Sequence, residues 1–103
     1  MNEAKKISVI VPAHNEERFI GGCLDAIAVA AKNVAQEVEM VVVLNRCSDS
    51  TEQIAKNSGA LTVTDESRCI AAVRNRGIAE AGGDILVTCD ADSRLHPQAL
   101  MFV

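Results

Sequence analysis

Short runs that are apolar at nearly every position constrain this chain more than any other feature. Ile7-Ser-Val-Ile-Val11, Val38 to Leu44 and Ile85 to Cys89 place apolar side chains on successive positions, interrupted only by Ser8, Glu39 and Thr88. Successive residues of a strand point to opposite faces, so such runs need cover on both sides. Between them the period changes. Phe19, Ile20, Cys23, Leu24, Ile27, Ala30 and Ala31 recur at about 100° per residue, on a helix expected from about Glu16 with Asn15 as N-cap. A short helix is expected from Thr51 to Ser58, stopped by Gly59, and a third from a Ser67 cap to Ala81, closed by Gly82-Gly83. Leu61-Thr-Val-Thr64 reads as a short strand, and Pro97 suits the first turn of a last helix. Strand–helix alternation with doubly apolar strands gives the fold class: α/β, a Rossmann-like, mostly parallel sheet with helices on both faces.

The 103 residues make one domain, without repeat or linker, and the net charge of −4 argues against a nucleic-acid or anionic-membrane partner. No apolar run approaches the roughly 18 residues of a membrane span. Met1 to Lys6 lead straight into a strand, not a signal-peptide core. Cys23, Cys47, Cys69 and Cys89 form no Cys-x-x-Cys pair, which reads as reduced thiols in a cytoplasmic protein. Ala99-Leu-Met-Phe-Val103 carries large apolar side chains with little chain to cover them. A larger parent domain is expected there, with self-association into a homo-oligomer as the other cover.

Parallel strands bring the corners that follow them to one edge of the sheet, where α/β ligands bind. Those corners are Pro12-Ala-His-Asn-Glu16, Asn45-Arg-Cys-Ser-Asp-Ser50 and Asp90 to Arg94. Arg74 is expected on the inward face of its helix with Ile70, Val73, Gly77 and Ala81, and Glu16 with the apolar stripe of the first helix. Asp90 and Asp92 lie two residues apart just past a buried strand. Like charges so close repel unless something positive sits between them. Oxygen ligands select Mg2+ or Mn2+, and a cation held by one or two carboxylates keeps positions for phosphate oxygens and water. A solvated turn is the simpler alternative. His14 and His96 read as solvated loop histidines.

Four segments together carry a family resemblance: Ile7-Ser-Val-Ile-Val-Pro-Ala-His-Asn-Glu-Glu17, Val41-Val-Val-Leu-Asn-Arg-Cys-Ser-Asp-Ser-Thr51, Ala72-Val-Arg-Asn-Arg-Gly77 and Gly83-Asp-Ile-Leu-Val-Thr-Cys-Asp-Ala-Asp92. In order and spacing they resemble family 2 inverting glycosyltransferases of the GT-A fold. The resemblance implies a site for a nucleoside-diphosphate sugar, with a lean to a UDP-sugar. It implies that Pro12, Ala13 and Glu16 hold the base and ribose, that Asn15 supports that corner, and that Asn45 reads the base edge. It places Arg74 near the base and diphosphate, Asp90 near the ribose and metal, and Asp92 as the more direct ligand of Mg2+ or Mn2+. The second segment departs from the family's usual Asp-Asp-Gly-Ser. The resemblance also implies that residues 1–103 are the donor-binding portion of one GT-A domain. The acceptor-binding half and its catalytic carboxylate are expected outside these residues, so no catalytic residue is identified and the chain alone is expected to be inactive or nearly so.

Two rivals stay open. Asp90-Ala-Asp-Ser also resembles the nucleophile motif of haloacid-dehalogenase phosphatases, although that motif opens such folds and here it comes last. A non-catalytic nucleotide-binding or regulatory module is the alternative from a different class. A calcium loop would need a ligand where Arg94 stands, and no Gly-x-Gly-x-x-Gly turn supports a dinucleotide site.

Overall fold

The computed structural model describes residues 5–103; the leader-segment reading of Met1 to Lys6 falls mostly outside them. Strand β1 (Ile7–Ala13) is flanked by β2 (Val38–Leu44) and β4 (Ile85–Thr88), and β3 (Leu61–Thr64) pairs with β2. The order is β3-β2-β1-β4 and every pairing is parallel. The doubly apolar runs dictate this arrangement. Ile7, Val9 and Val11 of β1 join Val42 and Leu44 of β2 on one face, under helix α1 (Ile20–Ala31) and helix α2 (Thr51–Asn57). Ile10, Val41 and Val43 face the other way, against Val73 of helix α3 (Ile70–Glu80). A 3-10 turn, Ala99–Phe102, seats Leu100 in the first core where a longer helix was expected.

Helix α1 starts four residues later than the apolar stripe suggested, with Phe19, not Asn15, at the N-cap position. The cause is local. Asn15 takes a left-handed backbone conformation (φ 50°), and its Oδ1 accepts the amide of Ser48 at 2.7 Å, so it has none to offer the helix. Phe19 is half exposed, its ring 5.7 Å from Arg18 Cζ. Gly59 does take the expected left-handed cap, at φ 83°. Ser67 receives the Cys69 amide at 3.1 Å, which closes a turn ahead of α3 without capping the helix itself.

Helix α3 lies close to the sheet because Gly77 has no side chain. A methyl there would collide with Ile10 and stand 2.7 Å from Val43 Cγ2. This close approach narrows the buried strip to Val73 and Gly77 and corrects one expectation. Arg74 does not point inward; it is exposed, as is Ile70. Gly77→Ala is expected to overpack the contact and destabilise the fold by about 1–3 kcal/mol, read as a lower denaturant midpoint. An unchanged midpoint would mean that the helix lifts at no cost.

At the opposite end of the sheet, Glu39 gathers the Ser8 hydroxyl, the Gly82 amide at 2.6 Å and Lys6 Nζ at 3.4 Å. Burial resists the charge on Glu39, but these partners outweigh it and hold the carboxyl below its ordinary 4.5. A depressed carboxylate adds stability above the unfolded value and loses it as pH falls through the folded one. Glu39→Gln should therefore lower the urea midpoint at pH 7 and flatten its decline below about pH 4.5. Parallel curves for the two proteins would refute this account.

Candidate functional site

Because the sheet is parallel, the corners after β1, β2 and β4 emerge on one edge, and side chains bind the first two into a single unit. Side chains of the neighbouring corner accept the backbone amides of Glu16, Glu17, Ser48 and Ser50. Thr51 Oγ1 takes the Glu16 amide at 2.8 Å and donates to Asp49 Oδ1. Asp49 Oδ2 takes the Glu17 amide at 3.2 Å, and Glu17 Oε1 returns the tie to the Ser50 amide at 2.9 Å. The Cys47 thiol donates to Ala13 O at 3.4 Å, and His14 Nδ1–H to Asn45 O at 2.7 Å. Thr51 is fully buried at the centre of this lacing.

Nothing in the sequence pattern read above foresees this latch, and Asp49 carries no role there. Asp49-Ser-Thr51 ahead of a helix was the available signal, since a carboxylate commonly takes a backbone amide two residues on. Asp49 Oδ1 does so, at 3.0 Å from the Thr51 amide. Desolvation works against the Asp49 charge, but the Thr51 hydroxyl and the amides of Thr51 and Glu17 outweigh it and keep its carboxyl below the ordinary range. An ionised group so engaged is poorly placed to act as a base. Asp65 likewise spends Oδ1 on the Ser67 amide at 2.9 Å.

The third corner is a tight turn. Ser93 N–H donates to Asp90 O at 2.9 Å, which turns Ala91 into the core and leaves both Asp90 and Asp92 exposed. Beneath the turn, the thiols of Cys23 and Cys89 lie 3.9 Å apart and reach the same Asp90 carbonyl at 3.5 and 3.6 Å. Their mutual hydrogen bond pushes the Cys23 thiol up, and burial and the nearby carboxylates add to that, so Cys23 stays protonated. Packing and turn support account for both cysteines. Arg94 lies along α1, where a methyl on Gly22 would stand 2.5 Å from its Nη2.

Glu16 and Asp92 stand on this one edge, at the first and third corners. Burial pushes the Glu16 carboxyl above its ordinary value, and the negative charge of Asp92 pushes it the same way; His14 opposes, and Asp49 adds a smaller push. The structure thus gathers Pro12, Ala13, Asn15, Glu16, Asn45, Asp90 and Asp92 at the ends of adjacent strands, and leaves Arg74 on the exposed side of α3. Among the described residues no three His, Cys, Asp or Glu side chains surround one point. The donor set that is present, two exposed carboxylates on one turn with Glu16 on the same edge of the sheet, fits a hard divalent cation that keeps open positions. His14 and His96 are not part of that set: His96 Nδ1 accepts the Gln98 amide at 3.1 Å.

Comparison with known proteins gives the class. The sequence matches glycosyl transferase family 2 over residues 8–101, and the chain belongs to that family. It is 33% identical to glycosyltransferase AglE of Haloferax volcanii over 91% of this chain and 33% of that protein. Among solved structures, glucosyl-3-phosphoglycerate synthase of Mycobacterium tuberculosis, in complex with Mn2+, UDP and glucosyl-3-phosphoglycerate, superposes with a TM-score of 0.76. It is 32% identical, over 90% of this chain and 36% of that one. Mannosyltransferase PcManGT of Pyrobaculum calidifontis, in complex with GDP-Man and Mn2+, gives 0.81 at 27% identity, over 96% and 31%. The fold is thus the expected α/β, GT-A type. The chain spans about a third of the length of the curated relatives it matches.

The latch makes its own prediction. Thr51→Val keeps the shape but leaves the Glu16 amide without an acceptor, and should destabilise the chain by roughly 1–3 kcal/mol, whereas Thr51→Ser should retain most of the stability. Equal denaturant midpoints for the valine and serine variants would show that the hydroxyl contributes nothing.

Proposed function

We propose that residues 1–103 form the donor-binding portion of an inverting glycosyltransferase that takes a nucleoside-diphosphate sugar together with Mg2+ or Mn2+. One observation supports the reading: the corners that carry Glu16 and Asp92, from distant parts of the sequence, open on the same edge of the parallel sheet, where the charge of Asp92 opposes ionisation of Glu16. Two further facts support it. The mycobacterial synthase is solved with UDP and Mn2+, and the Pyrobaculum mannosyltransferase with GDP-Man and Mn2+. The donor base is a uridine by preference.

In this reading Asp92 is the more direct metal ligand and Asp90 the second, nearer the ribose. Pro12, Ala13 and Glu16 line the nucleoside, Asn15 braces their corner, and Asn45 belongs to the base end. Arg74, exposed on α3 and free of ion pairs among the described residues, is the cation left available for the diphosphate. The reaction is a displacement. An acceptor hydroxyl attacks the anomeric carbon, its proton passes to a general base, and the nucleoside diphosphate departs with the electrons of the broken bond. A divalent cation, when bound, offsets charge on the departing phosphate. The chain's own part is to fix the nucleoside, aim two carboxylates at the cation site and keep the corners rigid. No residue here is assigned the base, because Asp49 and Asp65 are committed to backbone amides.

UDP and Mn2+ at a hundredfold their dissociation constant should add about 2.7 kcal/mol of stability, a rise in melting temperature of roughly ten degrees or more for a domain of this size. A chelator or Asp92→Asn should abolish the rise. No shift with any nucleotide and metal in a folded sample would overturn the proposal. Phosphate-ester hydrolysis lost in Asp90→Asn would favour the phosphatase reading instead.

A further inference from the structure

The surroundings of Asn45 are at odds with an amide that reads a base. The residue is 8% exposed, and its amide nitrogen is fully used: Nδ2 donates to Asp65 O and to Ser67 O, each at 2.6 Å. Its Oδ1 accepts Arg46 Nε–H at 3.3 Å. The backbone of the same residue donates to Ala13 O at 2.8 Å and accepts from His14 Nδ1 at 2.7 Å. One residue thereby ties three segments: the corner after β1, its own corner after β2, and the loop between β3 and α3.

The strand order gives this tie a direction. Neighbouring strands lie roughly 4.8 Å apart, so the row from β4 to β3 is about 14 Å across. A diphosphate beside Asp90 and Asp92, at the β4 end, leaves its nucleoside to run over β1 and β2 towards the β3–α3 loop. An extended nucleoside diphosphate is of comparable length. At that far end the hydrogens of the Asn45 amide are already spent. The loop it holds still presents Glu66, Arg68 and Cys69 to solvent.

We infer that Asn45 is a positioning residue and not a base reader: its amide fixes loop 65–69 as the far wall of the nucleoside site, and the base meets that loop. The inference rests on the donor-site reading above and refines it. It also separates two tasks that one side chain was expected to combine.

Asn45→Asp tests it, because aspartate has the same shape and no amide hydrogens. A carboxylate facing two carbonyl oxygens repels them and releases the loop. The variant, still folded, should bind UDP in the presence of Mn2+ roughly tenfold more weakly, with the order of preference among UDP, CDP and GDP unchanged. Asn45→Ser, which keeps one donor, should recover part of the affinity. An aspartate variant that binds UDP as tightly as the wild type overturns the inference. So does one that reverses the preference between UDP and CDP, since the amide would then have been reading the base. A lower melting temperature with affinity intact overturns it as well, leaving only a structural strap. Should the aspartate variant fail to fold, wild-type affinity in the folded serine variant has the same force. A wild type that binds no nucleotide removes the donor-site reading and this inference together, whereas an indifferent variant of a binding wild type removes the inference alone.

Discussion

The parallel pairing of β1 with both β2 and β4 is the constraint on which the rest of this molecule depends. Strand β1 is central, and Ile7, Val9, Ile10 and Val11 are wholly buried between the two helical layers. A strand in that position has its direction imposed on its neighbours by the crossover helices. Every corner that follows a strand must then open on the same edge. Polar residues from positions 12–16, 45–50 and 90–94 meet there because the apolar residues between them leave no other arrangement. Packing chooses the place, and the corner residues supply its chemistry.

Edge position alone would leave three mobile loops. Rigidity comes from a second layer of side chains that satisfy backbone amides across the corners. Thr51, buried at the centre, and Asp49 beside it hold the amides of Glu16 and Glu17. Hydrogen bonds of this kind add only modest net stability each, but leaving the amides unpaired would cost more. Asn45 extends the same device to the β3–α3 loop. The outward-facing groups of the corners are thus held by groups beneath them, which is how loops reach the precision of strands.

The fold was legible because apolar pattern and strand direction are collective properties. β2 and β3 occupy the residues expected of them, and Gly59 takes its left-handed cap. The misreadings are single side chains whose partners lie far along the chain. Asn15 has the composition of an N-cap and is captured by Ser48, 33 residues away. Arg74 sits next to buried Val73, yet it is exposed, on a helix that Gly77 brings close to Ile10 and Val43. Asn45 is expected to read a base edge. Its hydrogen bonds, though, run to carbonyl oxygens 20 and 22 residues away, which no local pattern encodes. That the corners of Glu16 and Asp92 open on one edge follows from strand direction; the lacing of Thr51 does not.

The central place of β1 also has a kinetic side. Strand β1 pairs with a strand far along the chain: Lys6 and Asp84, at the foot of the β1–β4 ladder, are separated by 78 residues. Until β4 is synthesised, β1 has one free edge and Asp90 and Asp92 have no turn to stand on. Nonlocal pairing of this sort closes late and slowly. The corners after β1 and β2 can lace together early, while the carboxylate turn joins last. The edge is therefore built in two stages, the laced corners first and the carboxylate turn after them.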